Sequence, residues 1–470
     1  MGGHHRVFPP VLVSNATPEK KARNNCTYAA PSNAGGGGER VLWAAVRATQ
    51  KRWPKAICVV YSGDHDVDRP AMIERVKDRF GITLHAPTLV LLYLSTRHLV
   101  LASTYPRFTL LGQSLGSLAL AYDAFSLLVP DIFIDTMGYA FTLAFCHYLF
   151  PTVPTAAYVH YPTISTDMLK SLNDKNIEHG LNAGAGVGWK GQAKKLYWRL
   201  FARLYGWVGS RIDLVMCNSS WTQGHISALW KPSGSTSSFA AVVWPPCAVG
   251  EMERKIDVST SSEREREKII IYVAQFRPEK NHSLVLRAFA KYYHSTTDKT
   301  GSTERPRLVL IGSVRSNTSD DIHIYNLRLQ VRELKIYEAT TFICDASFSV
   351  VLQQMQKASI GVNGMWNEHF GIGVVEYLAA GLIPVVHDSG GPKLDIVVPF
   401  KDEPTGYYAE TDEQFATAFG SVFKMSDAER LEMRLRNREA AKRFTEEAFA
   451  RKWIAEMEQL VRMQIARAKA

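Results

Sequence analysis

One rhythm runs through this chain twice, and it restricts the fold more than any other feature. Short apolar runs that end in polar residues alternate with helical stretches. The first series holds 56–64 (AICVVYSGD), 131–138 (DIFIDTMG), 155–162 (TAAYVHYP) and 213–220 (DLVMCNSS). The second holds 268–276 (KIIIYVAQF), 307–313 (RLVLIGS), 340–345 (TTFICD), 359–364 (SIGVNG) and 383–388 (IPVVHD). Strands of this kind, spaced by helices, predict parallel sheets covered on both faces, hence an α/β protein. Between the series, 244–268 brings WPPC and then a charged, serine-rich stretch, which reads as a connection between domains. Two successive βα domains make a cleft at the carboxyl ends of their strands, where open α/β sheets bind ligands. The expected layout is an irregular segment over 1–33, a Rossmann-like domain over 34–250 and a linker over 251–268. A second Rossmann-like domain follows over 269–440, then a helical segment over 441–470 that returns to the first domain.

The totals suit a packed enzyme. The 470 residues allow two or three domains, and 46% apolar with 21% charged residues is ordinary for a globular chain. A net charge of +10 fits anionic partners such as phosphates or acidic lipid headgroups without choosing among them. No nucleic-acid motif accompanies it, so no nucleic-acid partner is expected. The six cysteines contain no CxxC and read as reduced thiols. No signal peptide is visible. The longest apolar candidate for a membrane segment, 137–150, falls short of the ~20 residues a spanning helix needs and is stopped by Pro151.

Chemistry concentrates in two stretches. Glu368 and Glu376 stand eight residues apart, with Gly371 and Gly373 where a loop should turn into a helix. Free N–H groups at a helix start attract a phosphate or a sugar oxygen, and carboxylates accept hydrogen bonds from hydroxyls. A capped helix with two solvated acids would also fit the glutamates alone. Arg277 and Lys280 follow directly on a strand, at the end where the cleft should lie. They suit a diphosphate, and a solvated basic loop is the plain alternative. In the first half, Gly35 to Gly38 precede a helix, and His160-Tyr161-Pro162 ends a strand. GGGG is not the GxGxxG fingerprint. The acids Asp64 and Asp66 read as loop, so no metal site and no cofactor are expected.

The segment 368–376, with Arg277 and Lys280 upstream, resembles the EX7E signature of retaining GT-B glycosyltransferases. NAGGGGERVLW, YVHYPTIS, CNSSWT, FRPEKNHSL and WNEHFGIGVVEYLAAGLIPVVHDSGGPKLDIV are similar, more specifically, to the eukaryotic dolichol-pathway α-1,2-mannosyltransferases. The resemblance implies a GT-B fold with an acceptor- and membrane-facing first domain and a nucleotide-sugar-binding second domain. It implies retaining transfer of mannose from GDP-mannose to a lipid-linked oligosaccharide, adding the fourth and fifth mannoses at the cytosolic face of the endoplasmic reticulum. Other glycosylation enzymes are implied as assembly partners. The family usually begins with a membrane helix, and none is visible here.

Carried over position by position, Glu376 would hold the ribose and Glu368 the donor mannose. Arg277 and Lys280 would neutralise the diphosphate, with the backbone of Phe370, Gly371, Ile372 and Gly373 against sugar and phosphate. Gly37 and Gly38 would approach the donor from the first domain. His160 would sit near the reacting sugar, Tyr161 near the acceptor, and 344–351 near the guanine. Two other functions remain open at this level: a retaining GT-B transferase with another nucleotide sugar, or a silent scaffold of the same fold.

A lipid-linked acceptor also implies a membrane surface. Lys195, Arg199 and Arg203 make a basic stripe beside Trp198, Phe201 and Tyr205, which could lie in a bilayer interface or pack into the core. The same two readings apply to the apolar segments 88–94 and 137–150.

Overall fold

The computed structural model of the chain describes residues 25–29, 37–172, 188–231, 239–297, 305–315 and 318–469. In chain order the first half runs β1 (Asn25–Ala29), α1 (Gly37–Arg52), β2 (Ile57–Ser62), α2 (Arg69–Phe80), β3 (Leu89–Tyr93), α3 (Thr109–Leu127), β4 (Ile132–Asp135), α4 (Ala140–Leu149), β5 (Thr155–Val159), α5 (Thr166–Ser171), α6 (Gly188–Gly209), β6 (Leu214–Cys217), α7 (Ser220–Trp230) and β7 (Ala241–Val242). The second half runs α8 (Val249–Lys255), α9 (Thr260–Glu265), β8 (Ile269–Val273), α10 (His282–Thr297), β9 (Arg307–Gly312), α11 (Ser319–Glu333), β10 (Thr340–Cys344), α12 (Phe348–Lys357), β11 (Ile360–Asn363), α13 (Ile372–Ala379), β12 (Ile383–His387), β13 (Tyr407–Ala409), α14 (Asp412–Lys424), α15 (Asp427–Ala441) and α16 (Glu446–Arg467).

The strands form two all-parallel sheets, ordered β3-β2-β1-β4-β5-β6-β7 and β10-β9-β8-β11-β12-β13. Both contain the doubly wound order in which the winding reverses beside the first strand. The reversal lies between β1 and β4 in one sheet and between β8 and β11 in the other. Each sheet is buried on both faces, which is why its strands read as apolar runs rather than alternations. This is the two-domain α/β architecture expected from the sequence.

The last helix does return to the first domain. Phe449, Trp453, Met457 and Leu460 of α16 join the core formed with α1 and the first sheet. Ion pairs from Arg40 and Arg47 to Glu446 (3.2 and 2.8 Å) secure its start. Its first turn is capped by Thr445, whose hydroxyl accepts from Ala448 N.

Several local expectations need revising. The stretch 1–33 contains β1, a central strand of the first sheet; the rest of it lies outside the described residues. The segment 88–94 contains β3, and 137–150 is largely α4, with Phe141, Leu143 and Cys146 in the core. The linker 251–268 carries most of α8 and all of α9, both packed on the second domain. Met252 and Ile256 enter its core. Glu263 of α9 accepts from Arg434 Nε (2.6 Å) and Arg430 Nε (2.8 Å) of α15. Arg434 is fully buried and also donates to the carbonyls of Ser359 and Gly381, so its charge is compensated on all sides. On α6, Trp198, Phe201 and Tyr205 pack into the core, which excludes them as a membrane face.

Candidate active site

The reversal of winding explains how residues far apart in sequence meet. Because β8 and β11 are neighbours, the loops leaving their carboxyl ends open into one crevice. The first loop carries Lys280 and the second Glu368. Lys280 Nζ lies 2.5 Å from Glu368 Oε2 and 3.2 Å from Met365 Sδ. Tyr272 OH donates to the Lys280 carbonyl at 2.7 Å and fixes the short turn Pro278–Lys280. Burial acts to raise the Glu368 pKa. The facing Lys280 ammonium, its hydrogen bond and a further one from Asn363 outweigh that effect, so the net shift is downward.

Glycine geometry shapes the loop around Glu368. Gly371, at φ 101° in the left-handed region, turns the chain into α13. Gly390 has φ 69°, and a Cβ there would stand 2.4 Å from the Glu368 carbonyl oxygen. The neighbouring Gly391 N donates to that same oxygen at 2.7 Å. The GGP stretch therefore cradles the back of the glutamate loop.

Across the cleft, α1 begins at Gly37, directly opposite the start of α13. A Cβ on Gly37 would lie 2.5 Å from Ile372 Cδ1. Two helix N-termini thus converge, each bringing the positive end of its dipole, and no side chain caps that of α13. Between them is a cavity of about 400 Å³, large enough for part of a nucleotide sugar. Of the residues expected at the site, Gly37, Gly38, His160, Lys280, Glu368, Phe370, Gly371, Ile372 and Gly373 line it.

Three expected residues stand back from the lining. Arg277 begins the turn that carries Lys280, and its Nε is buried without a partner. Glu376 lies one turn into α13, and burial raises its pKa to about 7 despite the attraction of Arg40. Tyr161 stacks on His369 at 4.1 Å between ring centroids. The stretch 344–351, from the end of β10 into α12, is also outside the lining.

His160 follows β5. Its Nε2 is buried, and a Cβ on Gly38 would come within 3.5 Å of it. Burial and the nearby His369 lower its pKa to about 4, so the ring is neutral at neutral pH. His369 is likewise held neutral, at about 4, chiefly by burial.

The cleft also contains residues that sequence reasoning passed over: Asn218, Gln275, Asn363, His369 and Tyr377. Asn218 donates from Nδ2 to the His160 carbonyl at 2.9 Å, tying the ends of β5 and β6 together. Asn363 ends β11, and Tyr377 OH accepts from Val273 N at 2.7 Å. A polar residue at the carboxyl end of a parallel strand was the available signal, since that end faces the crevice.

The domains are joined at the rim. Asp167 of α5 accepts from Asn367 Nδ2 at 2.9 Å and lies 3.3 Å from His225 Nε2. Asp395 accepts from Ser220 N at 2.8 Å and Ser220 Oγ at 2.5 Å, across the start of α7. His369 of the second domain is stacked with Tyr161 and Trp221 of the first. Among the described residues, no group of three or more His, Cys, Asp or Glu is arranged to hold a metal ion.

Comparison with known proteins accords with this geometry. The family described as "ALG11 mannosyltransferase N-terminus" matches residues 26–230, and "Glycosyl transferases group 1" matches 253–444. In fold the chain is similar to sucrose-phosphate synthase from Thermosynechococcus elongatus. That likeness has TM-score 0.65 at 15% identity and covers 94% of this chain and 100% of the other. It is also similar to Anabaena HepE in complex with UDP and glucose, with TM-score 0.60 at 13% identity over 92% and 99% of the two chains. In sequence it is 58% identical over 441 residues to the "GDP-Man:Man(3)GlcNAc(2)-PP-Dol alpha-1,2-mannosyltransferase" of Neurospora crassa, covering 91% of this chain and 78% of that one. The Homo sapiens protein of the same name is 43% identical over 432 residues, covering 91% and 85%. With its GT-B architecture and relatives that match along nearly its whole length, the chain belongs to the family of GDP-Man:Man(3)GlcNAc(2)-PP-Dol alpha-1,2-mannosyltransferases.

Proposed function

We propose that this protein transfers mannose from GDP-mannose, with retention, to form α-1,2 linkages on a dolichol-diphosphate-linked oligosaccharide. The observation that carries the reading is the Lys280–Glu368 pair between two converging helix N-termini, in a chain whose relatives bear that activity in their names. An anion fits at the helix starts, and a sugar fits beside a carboxylate kept ionised by a lysine.

In this reading the diphosphate lies against the N–H groups of α1 and α13, and Lys280 turns from Glu368 toward it. Arg277 reinforces that charge from behind the turn. Glu376 accepts from the ribose hydroxyls, and Glu368 orients the mannose. The bond from the anomeric carbon to the phosphate oxygen breaks while the acceptor hydroxyl approaches from the same face. The new glycosidic bond forms there, and the hydroxyl proton passes to the departing phosphate oxygen. Charge grows on the leaving diphosphate, so preorganised cations and N–H groups lower the barrier most. Neutral His160 positions the sugar, and Tyr161 bounds the acceptor side.

The acceptor's lipid tail implies work at a membrane surface, and we assign it to the cytosolic face of the endoplasmic reticulum, within reach of other glycosylation enzymes. The buried thiols of Cys146, Cys217 and Cys247 suit a reducing compartment.

The test is turnover of purified protein with GDP-mannose and a synthetic lipid-diphosphate acceptor, reading product mass and linkage. Addition of α-1,2-linked mannose, abolished in Glu368→Ala, is the expected result. Tight GDP binding without transfer would overturn the acceptor assignment.

A further inference from the structure

The helix α6 has three faces rather than the two of an ordinary surface helix. Its residues advance by roughly 100° each. Trp198, Phe201, Tyr205 and Val208 fall on one side and are buried in the core. Leu196, Leu200, Leu204 and Trp207 share a second side, roughly 120° around the helix, and are 59%, 53%, 37% and 49% exposed. Lys195, Arg199 and Arg203 form a basic row along the edge of this apolar strip.

The strip continues onto neighbouring helices. Phe108, just before α3, meets Tyr197 edge-on at 5.2 Å and is itself exposed. At the other end Tyr148 of α4 stacks with Trp207 at 6.1 Å, with exposed Leu149 beside it. Acids are nearly absent from this surface. Neither α4 nor α6 contains one. The single acid of α3, Asp123, is tied to the backbone and hydroxyls of Ser95 and Thr96.

An exposed apolar ridge of this extent marks a docking surface. A basic row along its edge selects an occupant that is apolar inside and negative at its rim, the make-up of a bilayer with anionic headgroups. We propose that the outer face of α6, from Phe108 to Tyr148, lies in the interface of an anionic membrane. Because the buried side of α6 is packed into the core along its length, this contact runs parallel to the surface. The buried side of α6 connects it to the cleft: Tyr205 OH accepts from Thr163 N at 3.3 Å, in the loop that begins with His160 and Tyr161. The membrane would then lie about one helix diameter, ~10 Å, from that loop. The proposal rests on the transferase reading only in this last point, that the membrane delivers the lipid-linked acceptor.

The experiment uses the full chain and vesicles of phosphatidylcholine with or without phosphatidylinositol. The wild type should float with the anionic vesicles and lose binding as salt rises. Leu200→Glu/Leu204→Glu should stay unbound. Lys195→Glu/Arg199→Glu/Arg203→Glu should weaken binding by about fivefold or more per cation. Both variants should keep wild-type turnover on a short-chain, water-soluble acceptor and lose about tenfold on a dolichol-length acceptor held in vesicles. Flotation of either variant like the wild type, or no flotation of the wild type, overturns the proposal. So does a wild-type dimer that the leucine substitutions dissolve, since the ridge would then cover a second copy. Absent turnover on the soluble acceptor in every protein would count against the transferase reading while flotation still decides the surface.

Discussion

Lys280 and Glu368 form the one close ion pair inside the lining described above, and each determines the state of the other. Lys280→Ala should lower kcat by about 10²–10³-fold, the loss expected when one preorganised stabiliser of a leaving anion is removed. The melting temperature should stay near that of the wild type. Near-normal turnover would remove Lys280 from the mechanism. The same substitution leaves burial as the dominant influence on Glu368, so the acid limb of the pH–rate profile should move to higher pH. Glu376 makes an opposite prediction. Its pKa of about 7 leaves it neutral below that pH and ionised above it. A carboxylate accepts hydroxyl protons better than the neutral acid. GDP affinity should therefore weaken as pH falls through 7, and Glu376→Gln should flatten the dependence. Calorimetric titration with GDP across that range checks it, and a flat wild-type curve would detach Glu376 from the nucleotide. Spacing and strand-end position made both glutamates and Lys280 candidates, and the resemblance to the EX7E signature singled them out. Asn218 and Asn363 had only their place at the carboxyl ends of strands to mark them, and His369 needed the facing domain, which no linear motif shows.

At the scale of elements, helix α16 is the part most dependent on its contacts. It belongs to the first domain in space and follows the second in sequence. Trp453 is fully buried, stacks on Phe449 at 5.8 Å and donates from Nε1 to Thr49 Oγ1 at 3.1 Å. Trp453→Ala should cost about 3–5 kcal/mol from lost burial and the cavity left behind, read by chemical denaturation. A loss under about 1 kcal/mol would mean that α16 contributes little to holding the first domain. Most strands were legible because parallel strands buried on both faces are apolar throughout. Those that escaped were β1, too short and polar (NCTYA) to stand out, β3, which could equally have been a membrane segment, the two-residue β7 and the three-residue β13. The basic row of α6 was also visible in advance. Which apolar residues accompany it outward was not, because Trp198 and Leu196 look alike as apolar positions until the core claims one face.

For the whole molecule, the contacts at the rim of the cleft set how closely the two domains approach, and that distance determines whether the site is assembled. Asp167 and Asp395 hold opposite domains together through Asn367 and Ser220, while the His369 ring sits in a stack that belongs mostly to the first domain. Gly37 meets the second-domain wall in this arrangement, where a Cβ on it would stand 2.5 Å from Ile372. Asp167→Ala/Asp395→Ala should thus loosen closure without touching the nucleotide wall. Small-angle scattering of the free protein should report a larger radius of gyration. The affinity for GDP should change by no more than about twofold, since most of the residues assigned to the nucleotide belong to one domain. Turnover should fall by about 10–100-fold, because a displacement near 1 Å between reacting groups is costly even when it originates far from them. An unchanged radius together with unchanged turnover would mean that the stacked rings alone hold the domains together. A fall in GDP affinity as steep as the fall in rate would instead mean that α1 holds the diphosphate as firmly as α13 does, so that the nucleotide site itself needs closure.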